Sequence, residues 1–546
     1  MKAKHYWFLG FTAVFAALAG FVFWGTWSMD FAPVMPDCPF VYGPGFAAGT
    51  FRSMFATGRF NPIEFYRFIG SPYFWQELQY ALGLYGAALG VAYYCRGRGL
   101  SRLASYGAGL LLAFSGYWCT LFSAGHLGWF LWMSLGVFAF GLADRAVRKG
   151  KLRHWLLLGA CEAWASGYQT DLWLLFAVFM GAYFIWCCVR ERTFPWKGVL
   201  VAAVAFFVIG APYIRSAFVN DLAGRDKQIE EGQTVSAKDN ASGDEREKRW
   251  IFVTNWSLPP NETAEFFIPR LNGDTSCPLT LSLGTRYGTG VKPYTGALGR
   301  PKDAPAGNYR QHSLYVGFIT CLLALISCLT CFKKLNLSSP APTPAPTSTS
   351  DFAFFLVVAI LCWLFSMGRY CEPVYRVIFS LPFGDYLRAP VKWHHLTEFC
   401  LVVLAAYGIE SLSTLASRIP RLKSFALPLV GSLVLLGAID LARVDRLYCA
   451  PVDLREARRQ NCNFQMTFLR KGDFNNPQVA AMVKAKKIVA LAQPNPETYL
   501  VGVLQPRGPR TDKPWPPIEL ATVLGFVSVL GTIAVLFFGI IRRHES

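Results

Sequence analysis

Charged residues are scarce in this chain. Asp, Glu, Lys and Arg together make up 16% of the 546 residues, whereas soluble domains carry about 25%. Hydrophobic residues make up 53%, and the mean hydropathy is +0.31. The composition excludes an ordinary soluble protein and indicates one that lies mostly inside a membrane.

Recognisable nucleotide-binding and hydrolase motifs are also missing. The sequence has no P-loop, Rossmann glycine fingerprint, G-x-S-x-G or H-E-x-x-H motif. Its one C-x-x-C pair, Cys328 and Cys331, has no second pair beside it and no βαβ pattern around it, which disfavours a zinc ribbon or a redox motif. Cytoplasmic nucleotide chemistry is therefore disfavoured. A disulfide is possible among the cysteines on the predicted outer side, and the alternative is that they are small apolar fillers or free thiols. These cysteines are Cys38, Cys277, Cys371, Cys449 and Cys462.

Long apolar segments occupy most of the chain. A membrane-spanning helix needs about 20 largely apolar residues, and roughly twelve segments meet that requirement. They cover residues 6–27, 74–94, 103–122, 127–143, 155–166, 172–189, 198–214, 313–331, 352–365, 396–412, 425–441 and 519–541. We interpret the first as a retained span, since no small-residue cleavage site follows it.

Lysine and arginine concentrate in alternate short loops between these segments. They are Lys2, Lys4, Arg96, Arg98, Arg102, Arg145, Arg148, Lys149, Lys151, Arg153, Arg190, Arg192, Lys197, Lys333, Lys334, Arg418, Arg421, Lys423, Arg542 and Arg543. With twelve spans all of them fall on one side, which the positive-inside rule makes cytoplasmic. We therefore expect a multi-pass membrane protein with both termini in the cytoplasm. The net charge of +19 belongs to membrane-flanking loops and does not indicate nucleic acid.

The segments group into an all-α polytopic fold with a small outer α+β part. We expect an N-terminal membrane core at 1–337 with outer loops at 28–73 and 216–312, a cytoplasmic Pro/Ser/Thr linker at 338–350, C-terminal membrane helices at 351–441, a small extracytoplasmic segment at 442–518, and a last helix with a basic tail at 519–546. Inside the extracytoplasmic segment, residues 488–491 and 499–504 could pair as strands.

Two aspartates, Asp30 and Asp37, follow the first predicted span on its outer side. A carboxylate there could act as a general base, or could hold a divalent cation against a phosphate leaving group. A turn or helix-capping aspartate is the plainer alternative. If a cation takes part, Mg²⁺ or Mn²⁺ at Asp37 is the expected one, and no other cofactor is expected.

Three further outer segments carry polar side chains near the membrane surface. His126 stands at a helix N-terminus, where it could contact a phosphate or a sugar hydroxyl. Asp171 could bind sugar hydroxyls from a short turn, and Glu262 and Glu265 could face a site from an apolar stretch. The alternatives are an interfacial histidine, an ordinary polar turn, and carboxylates in the first turn of a short helix.

The densest polar stretch, residues 381–395, precedes a predicted span directly. It contains Arg388, Lys392 and His394. Arginine binds phosphate as a bidentate fork and lysine binds it as a point charge. These residues could therefore bind an anionic lipid phosphate, although generic headgroup anchoring is the alternative.

Four loose motifs occur in a fixed order. An aspartate after the first span is followed by FRSMFATGRFNP at 51–62, by SAGHLG at 123–128, by SLPPNE at 257–262, and by LP at 381–382 through RAPVK at 388–392. With these motifs the chain resembles the YfhO-like bacterial membrane protein family of the GT-C glycosyltransferase superfamily, over residues 1 to about 413.

The resemblance implies a GT-C-like enzyme of the bacterial inner membrane that takes a sugar from a polyprenyl-phosphate donor at the outer face. The acceptor would be an envelope polymer, a glycolipid or a protein. An acidic residue of the first outer loop serves such enzymes as a base or a metal-linked acid, and Asp37 matches that place best, with Asp30 second. The expected binding residues are His126, Asp171, Glu262, Glu265, Arg388, Lys392 and His394.

A non-catalytic carrier, flippase or assembly partner for lipid-linked sugars is the rival hypothesis. It predicts a polar path through the bilayer, marked by ionisable residues inside the spans. Few are present in the predicted spans, among them Glu162, Glu398 and Asp440. That scarcity favours chemistry at the membrane surface.

Overall fold

The structure, a computed structural model, describes most of the apolar part of the chain. The described residues are 2–23, 31–33, 72–124, 126–216, 245–272, 313–336, 348–381, 384, 387–418, 423–444, 451–453, 462–485, 487–495, 498–506, 523 and 527–535.

Helices dominate this part of the chain. They are α1 Lys2–Val22, α2 Pro72–Gly97, α3 Arg102–Ala113, α4 Gly116–Ala124, α5 Leu127–Lys149, α6 Leu152–Ser166, α7 Thr170–Glu191, α8 Trp196–Ser216, α9 Glu245–Val253, α10 Phe318–Asn336, α11 Ser348–Ser366, α12 Glu372–Phe379, α13 His394–Arg418, α14 Ala426–Val444 and α15 Pro477–Lys484. Short 3₁₀ helices cover Pro260–Phe266, Gly368–Cys371, Pro390–Trp393, Lys423–Phe425 and Lys471–Asn475.

Five of the described helices are long and apolar enough to cross a membrane. They lie at His5–Val22, Leu127–Lys149, Asp171–Glu191, Trp196–Arg215 and Pro390–Arg418. A sixth span results if the bent pair Asp351–Ser366 and Gly368–Phe379 counts as one. An all-α membrane protein is therefore confirmed. The number twelve and the GT-C fold stay predictions.

The bend of 110° in that pair depends on Gly368. Its φ is +49°, a conformation that L-residues with a Cβ rarely adopt. An added Cβ would also lie 2.2 Å from Ser257 Oγ and 2.5 Å from Pro390 Cγ. The glycine thus allows the chain after α11 to turn sharply and to touch the segment that precedes α13.

The predicted span at 103–122 is broken into α3 and α4. Phe114 and Ser115 form the break, where the Gly116 N–H donates to the Tyr315 carbonyl at 2.8 Å. Ser115 Oγ donates to Glu398 of α13. Backbone freed inside a membrane must find partners in the protein, and two other segments supply them here.

Three helices run between two distinct ends of the bundle. α5, α7 and α13 each begin beside a predicted site residue and end at arginines of the basic loops. At a rise of about 1.5 Å per residue, each is long enough to cross a membrane. The basic loops meet at one end. There, Arg148 Nη2 of α5 donates to the carbonyl of Gly97, the last residue of α2, at 2.9 Å. We call this the basic end and the opposite one the motif end.

The C-terminal segment forms a small sheet. Strands β3 Cys462–Arg470, β4 Ile488–Asn495 and β5 Thr498–Pro506 pair antiparallel in the order β3-β5-β4. The segments 488–491 and 499–504 do pair, in β4 and β5, whereas β3 was not predicted. A separate antiparallel pair joins β1 Phe31–Pro33 to β2 Pro451–Asp453, so the loop after α1 meets the segment after α14.

Candidate functional site

The segment before α13 is fixed by backbone hydrogen bonds to the end of α9. The Ala389 N–H donates to the Val253 carbonyl at 3.0 Å, and the Val391 N–H donates to the Trp256 carbonyl at 3.1 Å. Pro390 then starts a 3₁₀ helix. This turn holds Lys392 at the motif end, beside the start of α7.

Lys392 and Asp171 form a buried ion pair across 221 residues of sequence. Their side chains are 11% and 4% exposed. The other carboxylate oxygen of Asp171 accepts from the Leu172 N–H at 2.9 Å and from Gln169 Nε2 at 3.0 Å. Two buried charges hold one another in place, and removing either would leave the other uncompensated.

Trp129 is the centre of the site. Its indole stacks on the His126 ring at 4.8 Å and 21°. Lys392 Nζ lies 5.4 Å from the same ring, and the His395 ring lies 5.1 Å from it. We call Trp129, His126, Lys392, Asp171 and His395 the outer cluster.

A close approach between two turns builds this cluster. An added Cβ on Gly128 would lie 2.8 Å from the carbonyl oxygen of Tyr168. The small residue therefore lets the start of α5 pack on the turn before α7. That contact brings His126 and Asp171 to the same place.

His395 lies at the bottom of the cluster inside a ring of aromatic side chains. Its imidazole is 4.7 Å from Tyr117, 5.4 Å from Trp118 and 6.0 Å from Trp132. It is fully buried, and among the described residues neither of its ring nitrogens has a hydrogen-bond partner. The same holds for four neighbouring groups, the Tyr117 hydroxyl and the indole N–H of Trp118, Trp129 and Trp132. Buried polar atoms are normally paired, so such a concentration of exceptions needs an explanation.

The remaining predicted binding residues lie around the cluster. His394 contacts Phe266, the last residue of the 3₁₀ helix that carries Glu262, at 4.5 Å. Glu262 is fully buried. Glu265 accepts from the Asn272 N–H at 2.9 Å and from its Nδ2 at 3.0 Å. That carboxylate is therefore occupied by hydrogen bonds within its own loop.

Arg388 packs beside the cluster, against aromatic rings at the end of α9. Its guanidinium carbon lies 4.5 Å from the Trp256 ring and 4.6 Å from the Phe252 ring. The structure thus brings His126, Asp171 and Lys392 together on Trp129, while Glu265 and Arg388 make contacts of their own. Asp30 and Asp37 lie outside the described residues.

Trp129 and His395 were missed by sequence reasoning. The signal available was the aromatic spacing of Trp129 and Trp132 after His126, together with a second histidine after Lys392. Aromatic residues at helical spacing are common in any membrane span, so this signal was too weak to single them out.

The carboxylates in the described part of the chain do not fit a metal site. Asp171 is engaged by Lys392 and Glu265 by Asn272. No group of three or more His, Cys, Asp or Glu among the described residues could hold a metal ion. A cation at Asp37 stays a prediction.

A layer of phenylalanines separates the outer cluster from the basic end. Phe140 stacks on Phe179 at 5.2 Å and contacts Phe399 at 5.2 Å and Phe355 at 5.9 Å. Phe176 joins this layer to Trp132 at 5.2 Å. These packed rings form an apolar layer between Trp132 and the basic end.

Comparisons with known proteins do not identify a family. No protein-family model matches the chain, and no curated protein matches it. Its resemblance to the YfhO-like family therefore stays a prediction.

Proposed function

We propose that this protein is a membrane glycosyltransferase that moves a sugar from a polyprenyl-phosphate donor to a cell-envelope acceptor at the extracytoplasmic face. The observation that carries the proposal is the meeting of His126, Asp171 and Lys392, from three separate turns, on Trp129. A lysine, a histidine and a helix N-terminus at one spot suit a phosphate group.

Lys392 supplies the positive charge. A polyprenyl phosphate leaves as an anion, and one preorganised donor near the departing oxygen lowers the barrier by about 2.7–4 kcal/mol. Asp171 orients the ammonium group before the substrate arrives. His126 is only partly buried and, like Lys392, lies against the Trp129 ring, where both could contact one sugar phosphate. Activation of the acceptor is assigned to Asp37, or else to Asp30.

A lipid-linked sugar carrier is the second candidate function. Glu398 favours it, because this carboxyl group is fully buried within α13 and only one of its oxygens has a partner among the described residues. Ionisable residues at such depth often mark transport paths. The phenylalanine layer next to Glu398 opposes this reading, so we rank surface transfer first.

The two candidates are separated by reconstitution. The full chain in liposomes is given a polyprenyl-phosphate-sugar fraction from bacterial membranes, with envelope acceptors outside. Sugar transfer and movement of the lipid across the bilayer are measured in parallel. Movement without transfer would overturn the enzyme proposal.

Variants of the ion pair test the role of Lys392. We expect Lys392→Met to lower kcat about 100- to 1000-fold. Since it also leaves Asp171 unpaired, the double variant Lys392→Met/Asp171→Asn is the informative one: both partners are neutral, and the protein should fold and remain inactive. Lys197→Met is the matched control, because Lys197 lies 5.5 Å from the Trp196 ring at the basic end. Transfer at the normal rate by the double variant would contradict the assignment.

A further inference from the structure

An apolar groove of about 410 Å³ lies between α1, α3 and α14. Its lining includes Tyr6, Phe11, Tyr106, Leu110 and Leu435. These residues lie within the first ten residues of their three helices. The groove therefore lies in the half of the bundle nearest the basic end, away from the outer cluster.

The groove is formed by packed side chains on one side and is open on the other. Phe11 and Tyr106 pack ring to ring at 4.9 Å. Gly107 closes on Val434, to which an added Cβ would come within 2.9 Å. On the open side Tyr6 is 70% exposed and Leu435 is 45% exposed, so the groove opens onto the surface that faces lipid.

Two glycines give the groove its width. Gly10 and Gly431 both line it, and an added Cβ at either position meets no atom within 4 Å. Larger side chains could be built at both positions without a clash at that atom. The space is thus available to a flexible apolar chain.

Basic residues precede the lining segments of the groove in two of its three helices. Lys4 lies two residues before Tyr6 in α1, and Arg102 directly precedes Leu103 in α3. Basic residues between membrane helices bind anionic lipid headgroups. The apolar lining and these basic residues together match one molecule that has a hydrocarbon chain and a phosphate.

We propose that this groove binds an anionic phospholipid of the leaflet next to the basic loops, with one acyl chain between α1, α3 and α14. The headgroup phosphate lies among the basic residues at the helix starts. The site is independent of glycosyl transfer, since it shares no residue with the outer cluster.

Filling the groove tests the acyl-chain part. The full chain, purified in detergent and stripped of lipid, is titrated with phosphatidylglycerol and with phosphatidylcholine, and bound lipid is counted by native mass spectrometry. We expect Gly10→Leu and Gly431→Leu each to weaken phosphatidylglycerol binding about tenfold, a loss of about 1.4 kcal/mol. Gly20→Leu and Gly181→Leu are matched controls, since an added Cβ meets nothing there either and neither residue lines the groove.

Removing charge tests the headgroup part. The Arg102→Gln variant should weaken phosphatidylglycerol binding about fivefold and leave phosphatidylcholine binding unchanged. Equal binding of the two lipids by the wild-type protein would overturn the proposal. So would unchanged binding in both groove-filling variants, or a change of oligomeric state on filling, which would assign the groove to a second copy of the chain.

Discussion

The two ends of the bundle hold buried charges in different ways. At the basic end, Arg98, Asp144, Arg148, Arg190 and Asp351 form what we call the ionic cluster. Arg98 pairs with both aspartates, Arg148 with Asp144 and Arg190 with Asp351. At the motif end, one ion pair adjoins several buried ring nitrogens and a hydroxyl that lack partners among the described residues.

Charges in the ionic cluster satisfy each other. Burial lowers the pKa of Arg98, but Asp144, Tyr94 and Asp351 outweigh burial and raise the pKa above its ordinary value. The guanidinium therefore stays charged at any physiological pH. Such a cluster ties α5, α7 and α11 to the end of α2, and each of its charged groups has an oppositely charged partner.

The outer cluster keeps polar atoms unpaired at a cost to stability. An unpaired buried donor or acceptor costs about 1–3 kcal/mol. Natural proteins tolerate this cost mainly where function requires it. The difference between the two ends is therefore the reason to place chemistry at the motif end.

Breaking the ionic cluster should give the largest effect on stability. Asp351→Ala leaves Arg190 with only its more exposed partner Glu191 and removes one of the two carboxylates that pair with Arg98, so we expect a loss of about 3–5 kcal/mol. The measurement is chemical unfolding in detergent. Glu191→Ala is the control, because Glu191 is 35% exposed and pairs with Arg190 at 3.0 Å, so its loss should cost about 1 kcal/mol or less. Equal losses of stability in the two variants would contradict the role of the ionic cluster in holding the basic end together.

Replacing His395 by phenylalanine should have the opposite sign. His395→Phe keeps an aromatic side chain among the surrounding aromatic rings and removes two unpaired nitrogens. We therefore expect the free energy of unfolding to rise by about 1–3 kcal/mol and sugar transfer to be lost. His154→Phe is the matched control at the basic end. That histidine is buried, and its Nδ1 has no partner in the described part of the chain. Retained transfer in His395→Phe would show that the imidazole serves packing alone.

Breaking an exposed ion pair at the motif end should give the smallest loss of stability. Arg376 donates to Glu372 at 2.9 Å, with side chains 38% and 53% exposed. Glu372→Gln should cost about 0.3–0.5 kcal/mol, and raising the salt concentration should abolish the difference. A loss above 1 kcal/mol would mean that exposure does not explain the contrast between the ends.

Sequence reasoning succeeded where one local pattern sufficed. Hydropathy located most of the described helices, and the alternation of loops placed Arg148 and Gly97 near one end and Asp171 and Lys392 near the other. It gave no partners for Arg98, Arg148 and Arg190. All three are engaged by buried aspartates, Asp144 and Asp351, each of which lies one residue outside a predicted span.

The breaks in the helices could not be predicted either. Residues 103–122 are apolar throughout, so hydropathy gave no reason to interrupt them at Ser115. The partners that stabilise the break, Tyr315 and Glu398, come from segments about 200 and 283 residues away.

The sequence by itself determined that this is a membrane protein of apolar helices. The reason is that composition and the length of each apolar segment are local properties, which do not depend on how the helices pack. It also determined which loops share an end. Only the tertiary structure decided that His126, Asp171 and Lys392 meet on Trp129, while Arg388 packs elsewhere. The physical reason is that a site depends on which helices pack together, and close approaches such as that of Gly128 to Tyr168 are set by long-range packing that no local pattern encodes.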